Sequence, residues 1–313
     1  MKNIFNKNNN GSEELVTALG MIDSDTDFSK WAPYIPLSVR KLSAIIGPEV
    51  YSNAVTEYLK DEDPEEDIRE LIAMVQQSIA LFTWIKVIPT LDAQHGNAGR
   101  QKRLGENEKG LTAVQEYKDE TNILNLAYES VDLLIAFLEE KKFEFWQNSA
   151  KKKALDKLLI RSKEEFDGYY TIGSHRLFFT LIPMIKEVQE RHLIPVITQA
   201  RMDQLLSGDE EICTRLLEAS CRPVALLAIQ KAVERLPIEV LPEGIVQVQQ
   251  VGTVKEKQRA EENARKSVAA SLEKDATTDL MKLQDIIAQI EAEPEEPDYH
   301  IPKPILQDKG ITF

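Results

Sequence analysis

Histidine and cysteine, the residues of metal centres and thiol nucleophiles, are nearly absent: four and two in 313 residues. Cys213 and Cys221 lie eight apart in a helical stretch, where packing as small apolar residues is expected rather than a disulfide. His95, His175, His192 and His300 are scattered, and none stands in HExxH or another ligand spacing. Glycine (13) and proline (14) are too sparse for an all-β chain rich in tight turns. Positive charge is also short, 38 Lys and Arg against 52 Asp and Glu, a net charge of −14. That balance weighs against gripping phosphate backbones with the overall field, though a local basic face is still allowed. The longest apolar run, Ile79 to Ile88, is ten residues interrupted by Thr83 and Lys86, short of a membrane span. The first residues, MKNIFNKNNNGSEELV, lack the apolar centre of a secretory signal. The expectation is a soluble chain made in the cytoplasm with no membrane partner.

Catalytic motifs are missing as well. No GxSxG or Cys/His signature presents a nucleophile. The glycines at 96, 99, 105 and 110 form neither GxGxxG nor GxxxxGK[ST], and no apolar strand leads into them. The acidic cluster Asp61 to Asp67 lacks the alternating ligands of a calcium loop and reads as helix-entry charge. No catalytic, cofactor-binding or metal-ligating residue is assigned, no cofactor is implied, and the chain is read as a non-enzyme.

What is present is a core's worth of apolar residues, 42% of the chain, arranged in a diverged repeat. Ile35-Pro36 is followed twelve residues later by Pro48, and Ile182-Pro183 twelve later by Pro195, an offset of 147. Each copy then carries a second helix and an acidic turn, Asp61 to Glu66 or Ser207 to Glu211. A third helix follows, in which Ile79-Ala80-Leu81 aligns with Val224-Ala225-Leu226 and which ends before Pro89 or Pro237. Asp132-Leu133-Leu134 aligns with Asp279-Leu280-Met281 in the fourth.

The fold expected is mainly α: a duplicated helical-bundle unit with long projecting helices and a small β-hairpin. The parts are an N-terminal arm (1–32), repeat 1 (33–140), connecting helices (141–179), repeat 2 (180–291) and an extended tail (292–313). Repeat 2 places its hairpin at 238–251, where β-branched residues flank Pro242-Glu243-Gly244. The matching first-copy loop, 91–100, reads as a loop or weak hairpin. Ala154, Leu155, Leu158, Leu159 and Phe166 suggest one amphipathic connecting helix, ended at Asp167-Gly168.

Tyr117, Thr121, Leu124, Tyr128, Val131, Ile135 and Leu138 are spaced 4-3-4-3-4-3, a coiled-coil-like seam. From it Tyr117, Leu124, Tyr128, Val131 and Ile135 are taken as candidate subunit-interface residues. Tyr299, Ile301, Ile305, Ile311 and Phe313, the apolar anchors of the tail, complete the set. Residues 141–163 carry eight cations against Glu144 and Asp156, a basic stretch facing solvent, an acidic partner or DNA.

The run Phe166 to Pro183, with Ser174-His175-Arg176-Leu177-Phe178 opening a helix, and Asp132 to Glu139 resemble an uncharacterised virion-structural family of Bacteroidetes phages and prophages. That resemblance implies a head-to-tail connector or neck adaptor. Such proteins form a homo-oligomeric ring, commonly of twelve subunits, that contacts portal and tail proteins in the virion. DNA passes through without sequence-specific binding. The alternatives are another virion component (tail terminator, baseplate or capsid-accessory protein) or a non-viral helical scaffold or regulatory protein.

Overall fold

Apolar residues recurring at helical spacing make two long helices the frame of the first half. In a computed structural model that describes residues 3–96, 99–102, 110–208, 211–236 and 254–292, the chain is mainly helical. It opens with α1 (Gly11–Leu19), α2 (Phe28–Trp31), α3 (Ile35–Ile46), α4 (Pro48–Tyr58) and α5 (Glu66–Asp92). Strands β1 (Ala93–Gly96) and β2 (Gly99–Lys102) pair antiparallel, and α6 (Ala113–Lys141) follows. Lys141 meets Asp67 at 2.7 Å, Ser130 meets Ser78 at 3.0 Å, and Tyr128 packs edge-on to Phe82, so α5 and α6 run antiparallel. Val75, Ile79 and Phe82 of α5 and Val131, Leu134 and Ile135 of α6 are buried where these helices meet the rest of the core.

Both helices are long and apolar enough to cross a membrane, which counting unbroken apolar runs did not reveal. Here their apolar faces are packed into the core, the arrangement of an interior helix. α5 also runs past Pro89, where an end was expected. Lys86 and Thr90 donate to the carbonyls of Phe82 and Val87, close to the helix bond that proline cannot make.

Local chemistry sets the boundaries. Gly47 sits at φ +91, a left-handed value that lets α3 stop and α4 restart at Pro48 with one residue between them. Thr112 and Gln115 form a reciprocal capping box at the start of α6. Asp27 caps α2, whose Trp31 stacks on Trp84 of α5 with ring centroids 5.0 Å apart.

The N-terminal segment is no free arm. Ile4 and Phe5 are buried, Gln76 donates to the Ile4 carbonyl at 2.7 Å, and the Lys7 amide donates to the Tyr58 hydroxyl. Two apolar residues in a run of Asn and Lys are enough to anchor it.

The connecting stretch is also broken up, into α7 (Glu144–Gln147), α8 (Ala150–Lys153), a 3-10 turn (Leu155–Lys157) and α9 (Lys163–Asp167). Ser149 and Ser162 each accept a backbone N–H and restart the chain. Leu158 and Ile160, in the extended piece between, are buried. The single amphipathic helix expected here is therefore corrected to short turns pinned by core side chains.

The second half holds α10 (His175–Val188), a π-helical turn (Gln189–Leu193), α11 (Ile194–Ile197), α12 (Gln199–Ser207), α13 (Glu211–Arg235) and α14 (Val254–Ala292). Arg222 pairs with Asp279, Arg215 with Gln289, and Arg265 donates to the carbonyls of Val233 and Leu236, so α13 and α14 are antiparallel. The hairpin expected at 238–251 and the tail from 293 lie outside the described residues.

Candidate assembly surface

Expected interface residues divide by depth. Tyr117 is 68% exposed, on a stretch of α6 in which every residue from Ala113 to Asn122 faces solvent. Leu124 and Tyr128 are half-buried against the core. Val131 and Ile135 are wholly buried, which corrects their assignment to a subunit interface: this half of the seam closes inside the chain. A 4-3 spacing identifies an apolar helix face but not whose face covers it. Tyr299, Ile301, Ile305, Ile311 and Phe313 lie outside the described residues. The structure adds Val114 (65% exposed), three residues before Tyr117 on α6, and Leu111, exposed just ahead of the helix.

A polar tie joins the two halves. Asp132 of α6 accepts from the Ser174 hydroxyl at 3.0 Å and from the Arg176 amide at 2.7 Å, at the first turn of α10. Ser174 in turn caps the Leu177 amide at 3.0 Å. Asp132 and Ser174 lie 42 residues apart in sequence.

Beside this tie stands a cationic-aromatic cluster. Lys41 Nζ lies 4.3 Å from the Phe82 ring and 5.0 Å from the Tyr128 ring, and the Arg176 guanidinium 4.1 Å from Tyr128. Burial, then the charge of Lys41, holds the nearby Lys86 ammonium below its usual value.

Between α3 and α4 an open cleft of about 580 Å³ is lined by Ala44, Pro48, Tyr51 and Val55, with Arg40 among its polar walls. Burial pushes the Tyr51 phenol up to about 12. A second lobe of about 390 Å³ shares Ser43, Ala44 and Pro48 and continues to Lys151, Phe179, Ile182 and Pro183.

Partners for part of the basic stretch come from outside it: Lys141 pairs with Asp67, Lys152 with Glu139, and Lys163 with Asp167. Trp146 is buried and donates to Glu139 at 3.1 Å. No group of three or more metal-ligating side chains occurs among the described residues. Cys221 is a buried free thiol, pushed up to about 12 by burial.

Residues 42–155 match the model of a family of unknown function, DUF6712. The match runs from the middle of α3 to the 3-10 turn, so it takes in the cleft between α3 and α4, Asp132 and most of the basic stretch. Neither a curated protein nor a solved structure matches the chain.

Proposed function

We propose that this chain is a phage virion structural protein, a head-to-tail connector or neck adaptor that assembles as a ring below the portal. The observation that carries the reading is the N-terminal end of α6, where Val114 and Tyr117, with Leu111 just ahead of the helix, are apolar side chains that the described chain does not cover. α14 adds a second projecting helix. Its 39 residues span about 58 Å at 1.5 Å each, and Arg265 is already level with the end of α13 at Leu236. Duplication supports the same reading: α3, α4, α5 and α6 run in the order of α10, α12, α13 and α14, and each closing pair is antiparallel. A net charge of −14 suits a channel wall along which DNA slides without counterion-releasing contacts.

The test is the mass of the full-length protein in solution, by light scattering, with and without residues 292–313. A ring, or a chain that forms one only with a portal-like partner, supports the proposal. A stable dimer that assembles no further refutes it and favours a scaffold or regulatory protein. Removing the tail should leave the helical circular-dichroism signal intact and impair ring formation. An unchanged oligomer would remove the tail from the interface.

A further inference from the structure

We infer that the cleft between α3 and α4, with its lobe toward α8 and α10, receives segment 293–313 of a second copy of this chain. The inference rests on the assembly reading and names the surface that reading requires.

The cleft exists because Gly47 alone separates α3 from α4. Small side chains, Ser43, Ala44 and Ser52, line the gap that the two helices leave. The two lobes share Ser43, Ala44 and Pro48 and are taken together as one groove, with apolar lining from Tyr51 and Val55 in one lobe and Phe179 and Ile182 in the other. Both volumes fall in the range of clefts that bury a bound group, roughly 300–1,000 Å³.

Three features of the segment match the groove. Pro294, Pro297, Pro302 and Pro304 lack the backbone donors of a helix and fix their own φ, so docking the segment costs less conformational entropy than for an unrestricted chain. Tyr299, Ile301 and Ile305 follow as apolar anchors for the floor. Ahead of them come Glu293, Glu295, Glu296 and Asp298. The groove presents the opposite sign at Arg40 and Lys151, and Lys153 and Lys157 lie just beyond on the same stretch. None of these four cations has a carboxylate partner among the described residues. Glu49, the carboxylate among the lining residues, buries Oε2 without a hydrogen-bond partner, against the open side of Gly47.

Length permits delivery to a neighbour. Glu291, at the end of α14, is tied to Arg201 of α12 at 2.7 Å, so the segment departs from the second bundle while the groove's main lobe lies on the first. Its 21 residues, extended, span up to about 70 Å, ample for a copy alongside.

The test uses the full-length chain with a photo-crosslinking benzoylphenylalanine in place of Ile305. Equal amounts of ¹⁴N- and ¹⁵N-labelled protein are mixed, irradiated and analysed by mass spectrometry. Mixed-isotope crosslinks to residues 40–56 or 179–183 are expected, reduced at least tenfold in an Ala44→Trp variant. Ala44 is exposed, so that variant fills the groove without entering the core, and circular dichroism checks its fold. Crosslinks confined to one isotope mean the segment docks within its own chain and overturn the inference. Crosslinks to another surface, none at all, or crosslinks unaffected by Ala44→Trp overturn it too. Groove crosslinks in a protein that never passes beyond a dimer would uphold this docking while refuting the ring.

Discussion

Asp132 offers the sharpest test of how the two bundles are joined. Replacing it with alanine removes the acceptor for the Ser174 hydroxyl at 3.0 Å and for the Arg176 amide at 2.7 Å. Hydrogen bonds to a charged group contribute about 1.5–3 kcal/mol each, and a carboxylate at a helix N-terminus a further ~0.3–1. The Ser174 bond should count for less, because Ser174 keeps its capping bond to the Leu177 amide after the carboxylate has gone. Asp132→Ala should therefore lose about 3 kcal/mol, a large part of a typical stability of roughly 5–15 kcal/mol. Asp132→Asn keeps an acceptor and loses only the charge, so its cost should be nearer 1 kcal/mol. Urea unfolding followed by circular dichroism measures both, with an unchanged denaturant slope required for the comparison. Ser174→Ala, alone and combined with Asp132→Ala, closes a double-mutant cycle whose coupling should be about 1 kcal/mol. An Asp132→Ala variant within about 0.5 kcal/mol of wild type, or an Asn variant as damaged as the Ala variant, would refute the tie.

Depth along the α6 seam should separate its two halves. Ile135→Ala, wholly buried, should cost about 2–5 kcal/mol, and Tyr117→Ala less than about 0.5, in thermal or chemical unfolding of the isolated chain; equal costs would contradict the assignment. Glu187 is held to about 2 by the hydrogen bond from Arg235, with the charges of Lys231 and Arg191 adding to it. Its contribution should be complete above the unfolded-state value of about 4.3 and disappear as pH falls toward 2. The stability gap between wild type and Glu187→Gln, present at pH 6, should shrink to a small remainder by pH 2, and a gap as large at pH 2 as at pH 6 would rule the ion pair out as its cause. With its thiol near 12, Cys221 in a Cys213→Ser background should react with a disulfide reagent at pH 8 more than about a thousandfold slower than a free thiol. Rapid labelling of the native protein would show that the site is open.

Helix identity was legible because apolar residues at three- and four-residue spacing have one efficient way to be buried, and that pattern needs no partner to be read. The helices at 66–92, 113–141 and 254–292, the stop at Gly47-Pro48 and the capping serines all follow from local chemistry of this kind. The membrane-length character of α5 and α6 was missed because a run is broken by single polar residues, Lys86 in α5 and Glu129 and Asp132 in α6, while a helix averages over its whole length. Proline misled in the other direction. Pro183 and Pro223 lie within helices as Pro89 does, since one lost backbone bond is outweighed by the packing of the surrounding turns.

The sequence by itself therefore determined a mainly helical chain, its acidic surplus and the approximate positions of its long helices. Tertiary structure decided everything that depends on distance through space. It buried Val131 and Ile135 while leaving Tyr117 bare, drew Ile4 and Phe5 into the core, and set Asp132 on the first turn of α10. It also opened the groove between α3 and α4. Periodicity specifies which face of a helix is apolar; only the packing of the whole chain specifies which part of that face is left for another molecule.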